Sequence, residues 1–425
     1  MNSPTPQVAL CLLIFSVVSA IANDGLTRES AIRTAVLNNR ELSVASLEIE
    51  RAKSRLRWAG RLDNPELELS SSTDQFGLNE DEGTFEIAFS QRFPVTSRLR
   101  DEKIVRRHDV ELAEIEFGVR QRQLAYEVDK AWIALKSAQR TEALQGEQLT
   151  LSNQITEFLE DRAKVGEVSS LDAAQASLNG QMLKQELGLA ASKVADADAR
   201  LRHLLGIDPD KAITVVGEIA FPKAAPPVTV DLPTALRNRP DYSALLVSSD
   251  LGRAQLSLAM AQRWDDIAVK VFAERERATD APEGLERNSL VGIGISIPLP
   301  LRNRNEVAIE SAKLDIEKAR RARGAKVFEI HSELNKALLA RKAAHDLVKS
   351  ATEGALPMAK KNFENFRAAQ QNGQASLLQV QQAQAQLLQL ETSTLALRNS
   401  YLLLDAEVRF IAGTYPIPNR ISVSK

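Results

Sequence analysis

The chain has a single cysteine in 425 residues, only 5% aromatic residues, and no apolar run long enough to form a transmembrane helix. The cysteine, Cys11, lies inside Val8 to Val18, an apolar stretch of about eleven residues. That stretch is too short to span a bilayer and suits the core of a signal peptide. Ala20-Ile21-Ala22 comes next as an A-x-A cleavage signal, so residues 1–22 read as a signal peptide and Asn23 as the first mature residue. No Lys or Arg precedes the run, a departure from the usual charged start. Without Cys11 the mature chain has no thiol, which excludes disulfides and lipid attached to cysteine. An exported chain without a membrane helix is either soluble or crosses a membrane as a barrel.

Other absences narrow the function. The net charge is −2 and no Lys/Arg patch is interleaved with aromatics, which argues against nucleic acid. His108, His203, His331 and His345 are scattered without ligand spacing, so no metal site is expected. Gly292-Ile-Gly294 lacks the third glycine and the adjoining helix of a nucleotide loop. No catalytic constellation is visible, and no enzyme activity or cofactor is expected. Proline is absent from Val95 to Asp208. An unbroken helix from there to about Lys164 would be roughly 100 Å long and would need partner helices along its length.

What is present is said twice. Arg202-x-x-x-Gly206-x-x-Pro209 recurs as Arg409-x-x-x-Gly413-x-x-Pro416, about 207 positions later. Gly166 matches Gly373, Pro94 matches Pro298, and Asn38 and Glu41 match Asn238 and Asp241. A period this long indicates duplication of a whole structural half. The expected organisation is a first repeat over 23–210, a linker over 211–230, a second repeat over 231–416 and a tail over 417–425.

Each repeat combines long helices with short strands. Val380, Ala383, Leu387, Leu390, Thr394, Leu397, Tyr401, Leu404, Val408 and Ile411 alternate steps of three and four, a heptad pattern. Leu124, Val128, Ala131, Leu135 and Ala138 obey the same rule. Gly166 and Gly373 interrupt these runs as hairpin tips, and Ser169 and Ser376 can cap the returning helices. Arg202/Gly206 and Arg409/Gly413 read as helix stops. Period-two alternation marks strands at Leu67 and Leu69, at Phe85 to Phe89, at Ile267 to Val271 and at Val291 to Ile297. These hairpins, near 66–91 and 267–297, are joined by polar loops, Thr73 to Gly83 and Arg275 to Ser289. Four strands do not close a barrel, so if these hairpins face lipid several chains must pool them. From the strands alone, a soluble sheet packed on helices is the favoured reading.

This plan resembles the TolC-type outer-membrane efflux proteins over nearly all of the mature chain. The closest likeness is to the heavy-metal branch typified by CzcC. Its marks here are Asn64-Pro65 before the first strand and Pro298-Leu-Pro-Leu301-x-x-Arg304-Asn305 after the last. The resemblance implies a mainly α fold with a small membrane β part. Coiled-coil hairpins would form a trimeric α-barrel tunnel, and four strands per chain would pool into a twelve-stranded outer-membrane β-barrel. It implies a passive exit duct, with metal cations as cargo, served by an inner-membrane pump of the RND type and a periplasmic adaptor (membrane fusion) protein. The implied partners are the two other protomers of a homotrimer, those two proteins and outer-membrane lipid. The tips implied to meet the adaptor are Val165, Gly166, Ser169, Leu171, Gly373, Ser376 and Leu377. The implied periplasmic gate is Asp172, with Gln379 and Gln382 where the family's prototype has acids. A drug-efflux or type I protein-secretion duct is the neighbouring alternative. A periplasmic coiled-coil scaffold without a pore is the alternative of another class.

Overall fold

The computed structural model describes residues 25–73, 82–217, 221–222, 231–280, 284–372 and 374–415. The expected signal peptide, the tip residue Gly373, Pro416 and the C-terminal tail lie outside the described residues. The elements run α1 (Arg28–Asn38), α2 (Arg40–Trp58), β1 (Glu66–Thr73), β2 (Gly83–Phe93), α3 (Arg98–Lys164) and α4 (Ser170–Leu205). They continue with α5 (Leu232–Asn238), α6 (Pro240–Ala261), β3 (Ile267–Asp280), β4 (Gly284–Ser296), α7 (Glu306–Ser350), a π turn (Ala351–Ala355), α8 (Leu356–Gln371) and α9 (Leu377–Ala412). The second six-part series thus repeats the order of the first, with one interruption. α3 is a single helix of 67 residues, whereas its counterpart is broken by the π turn into α7 and α8.

The chain divides into two compact units. One holds the described residues up to Val44, Gly118–Arg239 and those from Val327 on. Its helices start and stop by local chemistry. Thr27 caps α1 by accepting from the Ser30 N–H, and Asp231 caps α5 by accepting from the Thr234 N–H. Asn39 ends α1 and opens α2, its Oδ1 accepting from the Leu42 N–H at 2.9 Å. Most of the heptad seam is buried: Val380, Ala383, Leu387, Thr394, Tyr401, Val408 and Ile411 lie inside, as do Leu124, Val128, Ala131 and Leu135, while Leu390, Leu397, Leu404 and Ala138 are half-buried. Each large apolar side chain so buried contributes about 1.5–3 kcal/mol.

The other unit, Ala45–Phe117 and Pro240–Lys326, carries the sheet. The strands form one antiparallel meander in the order β1-β2-β3-β4. The central pairing of β2 with β3, Phe89 opposite Val271 and Phe93 opposite Ile267, joins strands from the two halves of the chain. Arg98 clasps Asp266 through two hydrogen bonds, of 3.2 and 2.5 Å, fixing the first turn of α3 beside the start of β3. The expected polar loop Arg275 to Ser289 is instead mostly strand. β3 and β4 pair as Arg275 opposite Ser289 and Arg277 opposite Arg287, up to Asp280 opposite Gly284. The backbone ladder continues where the side chains turn polar on both faces, so the alternation that signals a strand disappears before the strand does.

Candidate functional site

The two faces of the sheet differ. The register places Leu67 opposite Phe89 and Leu69 opposite Ile87, then Val271 opposite Ile293 and Ala273 opposite Val291. These residues share one face. That face is not packed on helices: Leu67 is 66% exposed and Ile293 74% exposed. The soluble-sheet expectation fails on this point, because a soluble sheet would bury its apolar side. The other face is polar. Lys270 reaches Glu86 at 2.5 Å and Glu68 at 3.3 Å across three strands. Gly292 leaves room on this face for the Phe272 ring, since a Cβ there would lie 2.4 Å from it. Among the described residues no strand pairs with the outer edge of β1 or of β4.

The α3–α4 tip is built by a Schellman turn and a serine cap. The Gly166 N–H donates to Ala163 O and the Glu167 N–H to Arg162 O, with Gly166 at φ +79°. Ser169 Oγ accepts from the Leu171 N–H at 3.2 Å. Leu159, Ala173 and Ala176 close the small core beneath. Val165 and Leu171 point outward, the latter 76% exposed. Asp172 is exposed in the first turn of α4, its N–H donating to Ser169 O. At the second tip Ser376 caps α9 and Gln379 completes a capping box. Gln379 Oε1 accepts from the Ser376 N–H at 2.9 Å. Its amide is therefore turned back on the cap, while Gln382 is exposed one turn on. Asp172 and Gln379 occupy equivalent third positions of their helices. Leu377 begins α9, and Leu378 beside it is 61% exposed.

The helix stops have a second job that spacing alone did not reveal. Gly206 and Gly413, at φ +66° and +70°, each complete a Schellman turn in which the next N–H reaches back to Arg202 O or Arg409 O. Each glycine also lies against the corner between the two short helices of its half: a Cβ on Gly206 would meet Asn38 O at 2.4 Å, and one on Gly413 would meet the Asn238 Cβ at 2.7 Å. The matched residues of the repeat thus touch one another. Arg202 pairs with Asp198, and Arg409 with Asp405 at 2.7 Å. Asp198 and Asp405 stand at the same offset and extend the repeated pattern to D-x-x-x-R-x-x-x-G-x-x-P, a signal present in the sequence.

A buried ionic cluster was not legible. Asp129 on α3 is paired through both oxygens to Arg28 at the start of α1, and it accepts from the Tyr415 hydroxyl just after α9. Burial, then the adjacent Asp129 charge, pushes the Tyr415 phenol well above its usual range. Tyr126 stacks on Phe410 at 4.6 Å beside this cluster.

The branch mark Pro298 to Asn305 makes the turn from β4 into α7. Asn305 adopts φ +59°, donates from Nδ2 to Ala259 O at 3.0 Å, and accepts at its backbone oxygen from the Ile309 N–H. Asparagine tolerates this left-handed conformation better than most residues. Among the described residues no group of three or more His, Cys, Asp or Glu is placed to hold a metal ion. No described helix is long and apolar enough to cross a membrane.

Comparison with known proteins agrees with this architecture. No curated protein matches the chain. Among solved structures it is similar to CusC, with a TM-score of 0.72 and 19% identity over 91% of each chain. It is also similar to the CmeC outer membrane channel of Campylobacter jejuni, with a TM-score of 0.70 and 16% identity over 91% of this chain and 85% of that one. The outer membrane protein VceC of Vibrio cholerae gives a TM-score of 0.68 and 18% identity over 91% and 96%. These likenesses show the fold. The family model for outer membrane efflux proteins matches residues 31–207 and 232–414, most of the chain. The chain belongs to the outer membrane efflux protein family, and its place is the outer membrane.

Proposed function

We propose that three copies form the outer-membrane exit duct of a tripartite efflux system. The observation that carries this reading is the sheet, with one apolar exposed face, one polar face and, among the described residues, two unpaired edges. In lipid an open edge leaves backbone groups unsatisfied at several kcal/mol each, so strands there must close into a barrel. In the meander β4 runs antiparallel to β1, so β4 of one chain can pair with β1 of the next. Three sheets of four strands then close a twelve-stranded barrel with its apolar face to lipid. β2, β3 and β4, at 11, 14 and 13 residues, are long enough to span, since about 9–11 residues suffice. Trp58 and Trp264 are both exposed where a helix gives way to a strand, the position of interfacial aromatic anchors.

The duplicated halves give each trimer six near-equivalent hairpins, whose helices form the tunnel through the periplasm. The duct is passive and performs no chemistry. Exposed Val165, Leu171 and Leu378 at the tips support docking of a periplasmic adaptor, which links the duct to an inner-membrane pump. Three copies of Asp172 around the axis make a carboxylate ring favouring cations. Gln379, held in its capping box, leaves the second set of tips uncharged. Single-channel recordings of the reconstituted protein should show cation preference, and Asp172→Asn should reduce it by about half or more. An unchanged reversal potential in that variant would leave Asp172 as a helix-end residue.

Metal cations are the proposed cargo, on the resemblance to the heavy-metal branch. A deletion strain should lose tolerance to metals. Unchanged metal tolerance with lost drug tolerance would assign the duct to drug efflux instead.

A further inference from the structure

The second hairpin carries a basic pocket that the duct reading does not use. A cavity of about 580 Å³ lies between α3, α8 and α9. Its walls bring together Lys136 and Arg140 of α3, Lys360 of α8, and Glu391, Thr394 and Arg398 of α9. Four cations and one carboxylate line it. Lys360 lies 3.6 Å from Glu391, Arg140 pairs outward with Glu147 at 3.3 Å, and Lys136 donates to Val215 O at 3.3 Å. Two buried groups on successive turns of α9, Arg398 Nε and Thr394 Oγ1, have no hydrogen-bond partner among the described residues. Thr394 is 4% exposed, and buried polar groups are nearly always satisfied, so an unmet pair beside a cavity points to a ligand.

Two further features separate this pocket from the ordinary seam of the hairpin. The π turn Ala351–Ala355 ends immediately before Leu356, which lines the pocket one turn ahead of Lys360. A π turn inserts about one residue and so rotates the rest of the helix by roughly 100° relative to a continuous α-helix. Such turns are uncommon and concentrate at functional sites. The other half of the chain lacks the turn and most of the charges. Upstream of the π turn, where its inserted residue makes the offset 206, the counterparts of Lys136 and Arg140 are Lys342 and Asp346. Downstream of it, at an offset of 207, those of Lys360, Thr394 and Arg398 are Asn153, Leu187 and Ala191. Apart from Lys136, the cluster is therefore not shared between the repeats.

We propose that this pocket binds a small soluble oxyanion, a phosphate or a carboxylate, held by Arg398 and Thr394 within and by Lys136 and Lys360 at the rim. The volume suits a small molecule and the charge suits an anion. Its sign is opposite to that of a metal cation, so it is no station for the proposed cargo. A bound anion ties α8 and α9 to α3 just past the π turn, and it stabilises that arrangement by mass action.

Calorimetric titration of the purified full-length protein with inorganic phosphate, and separately with citrate, tests this. Saturable binding at one site per chain is expected for at least one of the two. Arg398→Gln should weaken it about tenfold or more, the effect of losing one charge-assisted hydrogen bond. Arg51→Gln, on an exposed side chain elsewhere, should leave it unchanged. If Arg398→Gln does not yield folded protein, Lys136→Gln with Lys360→Gln at the rim carries the same expectation. Absence of saturable binding to either anion overturns the proposal. So does an equal loss in Arg51→Gln, or binding only to phosphatidylglycerol vesicles with neither soluble anion bound.

Discussion

Asp129→Ala is expected to be the most damaging single substitution in the helical unit, lowering stability by about 3–5 kcal/mol. The carboxylate is 1% exposed and serves three elements distant in sequence: α3, the start of α1 through Arg28, and the chain just past α9 through Tyr415. Its removal leaves a largely buried guanidinium without its counter-charge and a buried hydroxyl without its acceptor. Breaking one side of a buried pair in this way costs more than the pair contributes, because the partner's desolvation is no longer offset. Asp129→Asn keeps the volume and an acceptor and should lose less. Tyr415→Phe removes one hydrogen bond and should cost about 1–2 kcal/mol. Denaturant unfolding of the purified variants, arranged as a double-mutant cycle, reads the coupling directly. Additive losses for Asp129→Ala and Tyr415→Phe would show that the cluster does not act as a unit.

The same cluster has a pH signature. The folded phenol of Tyr415 has a pKa above the unfolded value, so its contribution is complete below about pH 10. It is lost as pH rises beyond that through the folded pKa, because the unfolded chain ionises first. Tyr415→Phe should flatten part of the alkaline fall in stability. An alkaline limb unchanged by the substitution would assign that fall to other groups.

Gly206→Ala and Gly413→Ala should each cost about 2–4 kcal/mol. The left-handed backbone contributes about 1 kcal/mol, since alanine is strained in a conformation glycine adopts freely. The collision adds about 1–3 kcal/mol. At Gly206 the added Cβ meets backbone, the Asn38 carbonyl, and at Gly413 it meets the Asn238 Cβ and carbonyl. Neither obstacle can swing aside as a long side chain would. Gly166 is the internal control: its φ is +79° but no described atom lies within 4 Å of its Cβ position, so Gly166→Ala should cost only about 1 kcal/mol. Equal losses at all three glycines would mean that dihedral strain alone governs the stops and that their contact with the helix corner is incidental.

These contrasts show what sequence can and cannot carry. The caps at Ser169 and Ser376, the stops at Gly206 and Gly413 and the heptad seam were legible because each is set by residues within a few positions of one another. The apolar halves of the strands were legible for the same reason. The polar ends of β3 and β4 were not, because backbone pairing holds them and no side-chain pattern marks it. Asp129, Arg28 and Tyr415 are separated by 101 and 286 positions, so only the fold brings them together. The π turn left no sign in a heptad reading of α9, since it sits in the partner helix. The proposed gate positions divide differently: the family resemblance implied Asp172 and Gln379 together, and the structure separates an exposed acid from an amide occupied by its own cap.

Cysteine crosslinking across the sheet edges is the direct test of whether chains pool their sheets. β1 and β4 are opposite edges of the sheet, separated by three strand spacings of about 4.8 Å, too far for a disulfide within one chain. Only Cys11 exists in the sequence, so introduced pairs report without competition once it is replaced. A scan pairing Leu67→Cys or Leu69→Cys on β1 with Val291→Cys, Ile293→Cys or Ile295→Cys on β4 samples the registers that bring the apolar stretches of the two strands side by side. At least one pair should oxidise in outer membranes to a covalent ring of three chains, with neither single variant doing so. Chains that stay monomeric across the whole scan, while a β2–β3 control pair such as Phe89→Cys with Val271→Cys forms its disulfide within the chain, would contradict it.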